Sequence, residues 1–158
     1  MRKKQSDHKL GERMKKAIRK EARSSPTRGK DHKIRVLLVD DHVIVRQSIA
    51  GRLAAEPDIE VVDKAASSGE MALELTRRVR PDVVVMDIDM AGIGGIEATR
   101  RIRMELPQVR IIGLSMHVEP QMIQAMRDVG ADAYLTKEAS IEELLVAIRK
   151  INVIDPAA

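Results

Sequence analysis

Five short apolar runs separated by stretches of helical periodicity constrain this chain more than any other feature. Ile34–Val39, Ile59–Val62, Val83–Met86, Val109–Leu114 and Ala133–Leu135 have the length and composition of strands. Apolar residues at the spacing of one helix face follow each run: Val45, Ile49 and Leu53, then Met71, Ala72, Leu75 and Val79, then Ile96 and Ile102 up to Leu106. Met122, Met126 and Val129 mark a fourth helix, and Ile141, Leu144, Leu145 and Ile148 a fifth. Pro57, Pro81 and Pro107 stop the first three helices, and Gly130 caps the fourth. Such alternation predicts an α/β fold, a doubly wound five-stranded parallel sheet, because right-handed crossovers set helices on both faces. The charge interleaved in Ile59–Val62 makes that run an edge strand.

Parallel strands send their carboxyl ends to one edge of the sheet, where α/β folds bind ligands. Asp40 and Asp41 follow the first run, Asp87 the third, Ser115 the fourth and Lys137 the fifth; the second contributes nothing obvious. Taken singly, each has an ordinary reading: Asp87 or Asp41 as a turn or N-cap residue, Ser115 as a strand end, Lys137 as a surface charge. Together at one edge they form a constellation. Three converging carboxylates repel and call for a cation, and hard oxygen donors with room for water suit Mg²⁺, with Mn²⁺ as the substitute. A carboxylate that attacks phosphorus forms an acyl phosphate, for which the protein supplies geometry and charge neutralisation. In this scheme Asp87 is the nucleophile, Asp40 and Asp41 hold the metal, Lys137 pairs with a phosphoryl oxygen and Ser115 donates a hydrogen bond to another. Gly92, Gly94 and Gly95 after Asp87 let backbone approach whatever it holds.

Four segments carry a family resemblance: Val36-Leu37-Leu38-Val39-Asp40-Asp41-His42, Met86-Asp87 through Gly95 to Arg100, Leu114-Ser115-Met116-His117, and Ala133-Tyr134-Leu135-Thr136-Lys137. Over about residues 33–151 the chain resembles the receiver domain of two-component response regulators, and its wording is nearest the subfamily that usually carries a LuxR-type helix-turn-helix. The resemblance implies a flavodoxin-like fold with strand order 2-1-3-4-5. It implies that Asp87 accepts phosphate as 4-aspartylphosphate from a sensor histidine kinase or histidine phosphotransfer protein. Asp40 and Asp41 match the acidic Mg²⁺ pair, Asp87 and the backbone carbonyl of Asp89 complete the metal set, and Ser115 and Lys137 match the phosphoryl-sensing hydroxyl and lysine. Tyr134 matches the switch aromatic that turns inward with Ser115. The face of the fourth helix, fifth strand and fifth helix is the family's usual surface for a homodimer or another partner.

The chain departs from the family pattern in places. Ala91 stands where proline is usual, which implies a looser loop after Asp87. Asp89 and His117 occupy positions from which they could steer or block the hydrolytic water, so an altered phosphate lifetime is expected. Equal decay rates for Asp89→Asn, His117→Ala and the parent would refute that expectation.

Charge divides the chain. Residues 1–33 carry 13 Lys/Arg against 4 Asp/Glu, a charge of +9, whereas the remainder carries 15 against 20, a charge of −5. The first segment reads as a basic tail or linker, mostly solvated, in which Leu10, Met14, Ala17 and Ile18 could form a short helix. Its charge permits only nonspecific, salt-sensitive contact with nucleic acid, since no aromatic residue or motif supports sequence readout. Residues 34–151 read as the receiver domain and 152–158 as a C-terminal tail with no room for a helix-turn-helix. The expectation is therefore a stand-alone receiver or a receiver segment of a larger regulator or hybrid kinase. With no cysteine, no membrane-spanning apolar run and no secretory signal, the expected location is the cytoplasm. His8, His32, His42 and His117 lack metal-site spacing.

Two competing functions use the same residues. Asp87-Ile88-Asp89 also fits the Asp-x-Asp motif of haloacid-dehalogenase-type phosphatases, but Ala91 replaces the usual Thr or Val, and Asp40-Asp41 lie upstream rather than downstream. A receiver fold acting as a phosphate-independent binding module would have lost part of the acidic set, Ser115 or Lys137, and all are present. Gly92-Ile93-Gly94-Gly95 matches no nucleotide-binding loop. The expected role is signalling, with self-phosphorylation and slow autodephosphorylation as its only catalysis.

Overall fold

A computed structural model of the protein describes residues 32–152; for residues 63–65, 151 and 152 the description is of the backbone. The expected basic tail with its short helix, up to residue 31, and residues 153–158 lie outside the described residues. From Ile34 the order is β1 (Ile34–Val39), α1 (Val43–Ala54), β2 (Ile59–Ala66), α2 (Gly69–Val79) and β3 (Val83–Asp87). There follow α3 (Gly95–Glu105), β4 (Arg110–Ser115), α4 (Pro120–Asp128), β5 (Ala133–Thr136) and α5 (Ile141–Asn152). The sheet is parallel throughout in the order β2-β1-β3-β4-β5. This is the doubly wound, flavodoxin-like arrangement expected from the alternation.

The period of two along each strand divides the core. Leu37, Val39, Val84, Met86 and Ile111 point to one face and pack with Ala72, Leu73 and Leu75 of α2 and Ala98 and Ile102 of α3. Their neighbours Val36, Leu38, Val83, Val85 and Ile112 point to the other and pack with Ala50 and Leu53 of α1 and Leu144, Leu145 and Ile148 of α5. Without Phe or Trp, these layers consist of aliphatic side chains and methionine. All five residues of β3 are buried, as the central strand of such a sheet requires.

The second strand is longer than its apolar run. It continues to Ala66 with two register shifts, so that Val36 pairs with Val61, Leu37 with Asp63 and Val39 with Ala66. Backbone pairing at an edge does not need apolar side chains, which is why the charges after Val62 concealed the extension. The extension has a local purpose: the Ala66 carbonyl accepts the Asp40 N–H at 3.0 Å and so fixes the end of β1.

Candidate functional site

The order of the sheet puts β1 beside β3 and β3 beside β4, and the register aligns Val39 with Met86 and Asp87 with Leu114. The residues just past these pairs therefore meet. Asp87 is fully buried, Asp40 is 4% exposed, and Asp41 is exposed at the rim. Lys137 follows β5, where its backbone N–H donates to the Ser115 carbonyl at 2.8 Å. Its Nζ lies 3.1 Å from Oδ2 of Asp40 and 3.1 Å from Oδ2 of Asp87. Both are ion-pair distances, but neither oxygen accepts a hydrogen bond of good geometry.

Local turns hold the carboxylates. Asp40 Oδ1 accepts the His42 N–H at 2.8 Å, an Asx-type turn that opens α1. Asp87 Oδ1 accepts the Asp89 N–H at 3.0 Å. Buried Arg46, one turn into α1, donates from Nη1 to the Asp40 carbonyl and anchors the turn from below. Burial pushes the Asp87 carboxyl up to about 6; the like charge of Asp40 adds to this, and the Asp89 N–H and the Lys137 ammonium oppose it. Burial pulls the Lys137 ammonium down, but Asp40 and Asp87 outweigh it, so the net direction is up. The ion pair thus favours the charged form of both partners, but for Asp87 burial and the neighbouring Asp40 outweigh it. Geometry favours the same reading, since two carboxylates share one ammonium.

Ser115 is buried but bonds away from Asp87. Its Oγ donates to Asp89 Oδ2 at 2.8 Å and accepts the His117 N–H at 3.0 Å. The Asp89 carboxylate therefore faces Ser115, with His117 Nε2 3.6 Å from its other oxygen. It stands apart from the cluster of possible metal donors, which comprises Asp40, Asp41, His42 and Asp87 with ligand atoms within 4.8 Å of one another. Tyr134 is half-buried at the surface, its hydroxyl donating to the His117 carbonyl at 2.7 Å. The structure thus brings Asp40, Asp41, Asp87 and Lys137 together and joins Ser115, Asp89, His117 and Tyr134 in an adjoining chain of hydrogen bonds.

Three residues escaped the sequence reading. His42 was set aside for lack of histidine spacing, yet its Nδ1 lies 3.1 Å from Asp40 Oδ1 and 3.0 Å from Asp41 Oδ1. Three consecutive potential ligands at a strand end were the available signal. Arg46 sits among apolar positions of α1, where an arginine signals a specific buried acceptor. Glu70 fastens the loop after Asp87: its Oε1 accepts the Ile93 N–H at 3.2 Å, and Gly92 passes close by with φ +79°. This contact ties the segment carrying Ala91 to the start of α2. Accordingly, Glu70→Ala is expected to speed amide exchange at Ile93 several-fold while leaving β3 amides protected, as hydrogen exchange read by NMR would show.

The donor chemistry fits a hard divalent cation. Two buried carboxylate oxygens without hydrogen bonds, an exposed third carboxylate at the rim and a nearby ammonium leave negative charge undercompensated. Among the described residues no helix is long and apolar enough to cross a membrane.

Comparison with known proteins agrees with this architecture. The model of the response regulator receiver domain matches residues 36–149. The response regulator GacA of Pseudomonas aeruginosa is 41% identical over 118 residues, covering 75% of this chain and 55% of that protein. A LuxR-family two-component response regulator from Aurantimonas sp. SI85-9A1 superposes with a TM-score of 0.73 at 36% identity, covering 79% of this chain and 91% of that one. The receiver domain of the putative response regulator NarL from Mycobacterium tuberculosis also gives 0.73, at 29% identity, with 77% and 97% covered. The chain spans about half the length of the curated relatives it matches. With its five-stranded parallel sheet and a family match over most of its length, the chain belongs to the response regulator receiver domain family of two-component signalling.

Proposed function

We propose that this chain is a Mg²⁺-dependent phosphoacceptor in a phosphorelay, with Asp87 as the accepting residue. The observation that carries the reading is the Asp87 carboxylate itself: fully buried, at the end of the central strand, with one oxygen lacking a hydrogen bond beside Lys137 and Asp40. The donor would be a phosphohistidine on a sensor kinase or phosphotransfer protein, or a small acyl phosphate. An Asp87 oxygen attacks phosphorus, the bond to the donor nitrogen or oxygen breaks, and its electron pair leaves with the donor. The Asp89 N–H holds one Asp87 oxygen in place, and Lys137 offsets charge on the phosphoryl oxygens. Asp40, Asp41, Asp87 and the carbonyl of Asp89 would hold Mg²⁺, which when bound neutralises charge on the transferring group. Water attack on phosphorus, with cleavage of the bond to Asp87, returns the carboxylate and inorganic phosphate, and Asp89 and His117 would steer or block that water.

Ser115 would report the product by turning its hydroxyl from Asp89 to a phosphoryl oxygen, and Tyr134 would follow through the His117 backbone. The readout would reach the surface of α4, β5 and α5. There Leu135, Ala147 and half-exposed Val146 line an apolar groove suited to a second copy or another partner. Residues 34–151 serve as the receiver and 1–33 as a basic linker or tail.

Intact mass after incubation with acetyl phosphate and Mg²⁺ tests the reading. The parent is expected to gain about 80 Da, and Asp87→Asn to gain nothing. A gain in both would move the acceptor elsewhere. Turnover of a generic phosphomonoester would favour a phosphatase instead.

A further inference from the structure

The acidic pocket contains a nitrogen donor that the phosphoacceptor reading does not use. His42 Nδ1 lies 3.1 Å from Asp40 Oδ1, 3.0 Å from Asp41 Oδ1 and 4.0 Å from Asp87 Oδ2. A first-row divalent ion binds nitrogen and oxygen at about 2.0–2.2 Å, so its ligand atoms stand roughly 3 to 4.4 Å from one another. All three histidine distances fall in that span.

The second observation concerns the carboxylates. Asp40 and Asp87 are 4% and 0% exposed, and each presents an Oδ2 that accepts no hydrogen bond of good geometry. Lys137 Nζ lies 3.1 Å from both oxygens, and an incoming metal ion must displace it or share them with it. Two donors are thus fixed and buried. The third and fourth, Asp41 and His42, stand at the rim: the imidazole is 61% exposed and makes no capping bond to α1. Imidazole beside carboxylate is an ordinary ion-pair arrangement, in which Nδ1–H donates to oxygen. Here the same nitrogen faces three carboxylates, with Lys137 Nζ 3.5 Å away, and a metal ion can take the place of that proton.

We infer that His42 makes this pocket a mixed carboxylate–imidazole site that takes zinc-class ions, Co²⁺, Ni²⁺, Cu²⁺ and Zn²⁺, ahead of Mg²⁺. The inference rests on reading Asp40, Asp41 and Asp87 as a metal pocket. Mg²⁺ takes oxygen ligands and keeps its waters, so an imidazole adds little for it. For later first-row ions an imidazole is a preferred ligand, and affinity rises toward copper. An ion held by His42 as well as by Asp87 would occupy the acceptor carboxylate and exclude Mg²⁺ from it. His42 would then set which metals block the site.

The experiment is calorimetric titration of the full chain with ZnCl₂ and with MgCl₂, for the parent, His42→Ala, His42→Gln and His117→Ala. Zn²⁺ is expected to bind the parent at least about 100-fold more tightly than Mg²⁺. The Zn²⁺-to-Mg²⁺ affinity ratio should fall at least about tenfold in both His42 variants and hold in His117→Ala. The ring resonances of His42 should move first in an NMR titration with Zn²⁺. A ratio in His42→Ala within about threefold of the parent's overturns the inference, as does a loss that follows His117 instead. Asp40→Asn and Asp87→Asn separate the two levels: if neither weakens either metal, the pocket reading itself fails, whereas loss of both metals in these variants with an unchanged ratio in His42→Ala removes only the role of His42.

Discussion

Alanine at Gly95 is expected to be among the most damaging single substitutions in this protein, with a loss of more than about 3 kcal/mol and a fall in Tm of roughly 10 °C. A Cβ there would overlap the Asp87 carbonyl oxygen and sit 2.8 Å from Ile88 Cα and 2.9 Å from the Asp87 carbonyl carbon. Every one of these atoms is backbone, so no rotamer change relieves the clash. Relief would require α3 to move away from β3, or the end of β3 to shift, and either displaces Asp87. Gly94, one residue earlier, provides the control. A Cβ at Gly94 would meet the Ile88 and Met90 carbonyl oxygens at 3.5 and 3.8 Å, ordinary contacts, and φ is −69°. Gly94→Ala should therefore cost less than about 1 kcal/mol. Thermal denaturation of the pair checks the contrast; equal losses would show that the β3–α3 junction yields freely.

Asp87→Asn should stabilise the metal-free protein at pH 8 by about 2 kcal/mol and raise Tm by several degrees. The ionised Asp87 is a liability, because its carboxyl is pushed from 3.8 to about 6 by burial and by Asp40. A carboxyl whose proton is held more tightly in the folded state binds more protons when native than when unfolded between those two values. Stability from this group is thus full below about pH 4, declines as pH rises through 6, and stays low above. The cost of its charge at neutral pH is about 3 kcal/mol by that linkage, a figure that already includes the attraction to Lys137, and burial of the amide itself takes back part of the gain. The advantage of asparagine should vanish near pH 4, where the parent is itself protonated. Mg²⁺ should narrow the gap at pH 8 by stabilising the parent more than the variant. A variant less stable than the parent at pH 8 would mean that Lys137 more than offsets the buried charge.

These two expectations show what kind of information the chain carries in plain view. The alternation of apolar runs and helix faces was legible because each layer is built from uninterrupted aliphatic residues, and Val83–Met86 announced itself as a strand buried on both faces. The meeting of Asp40, Asp41, Asp87 and Lys137 followed from parallel topology alone. The extent of β2 was not legible, since its last residues join the sheet through backbone groups that any side chain permits. Nor was the pairing of Ser115 with Asp89, because a hydroxyl at a strand end does not reveal which of two nearby carboxylates it will choose. Arg46 and Glu70 were hidden for a related reason: each reaches a main-chain group, a carbonyl at Asp40 and an N–H at Ile93, and main chain has no signature in the residue code.

The Ser115 hydroxyl owns a single hydrogen, and that scarcity has a consequence. While the hydrogen is committed to Asp89, no other acceptor in the pocket can receive it, and the oxygen's acceptor side is engaged by the His117 amide. A newcomer bearing oxygens must outbid a carboxylate for one proton, so the two arrangements exclude each other and no blend of them is available. Since His117 also lends its carbonyl to Tyr134 at the surface, the proposed switch would pass the outcome of that contest outward as a yes or a no. In that switch Asp89 would be the opponent against which an incoming charge is weighed, and its strength as an acceptor would set the threshold at which the chain changes its answer.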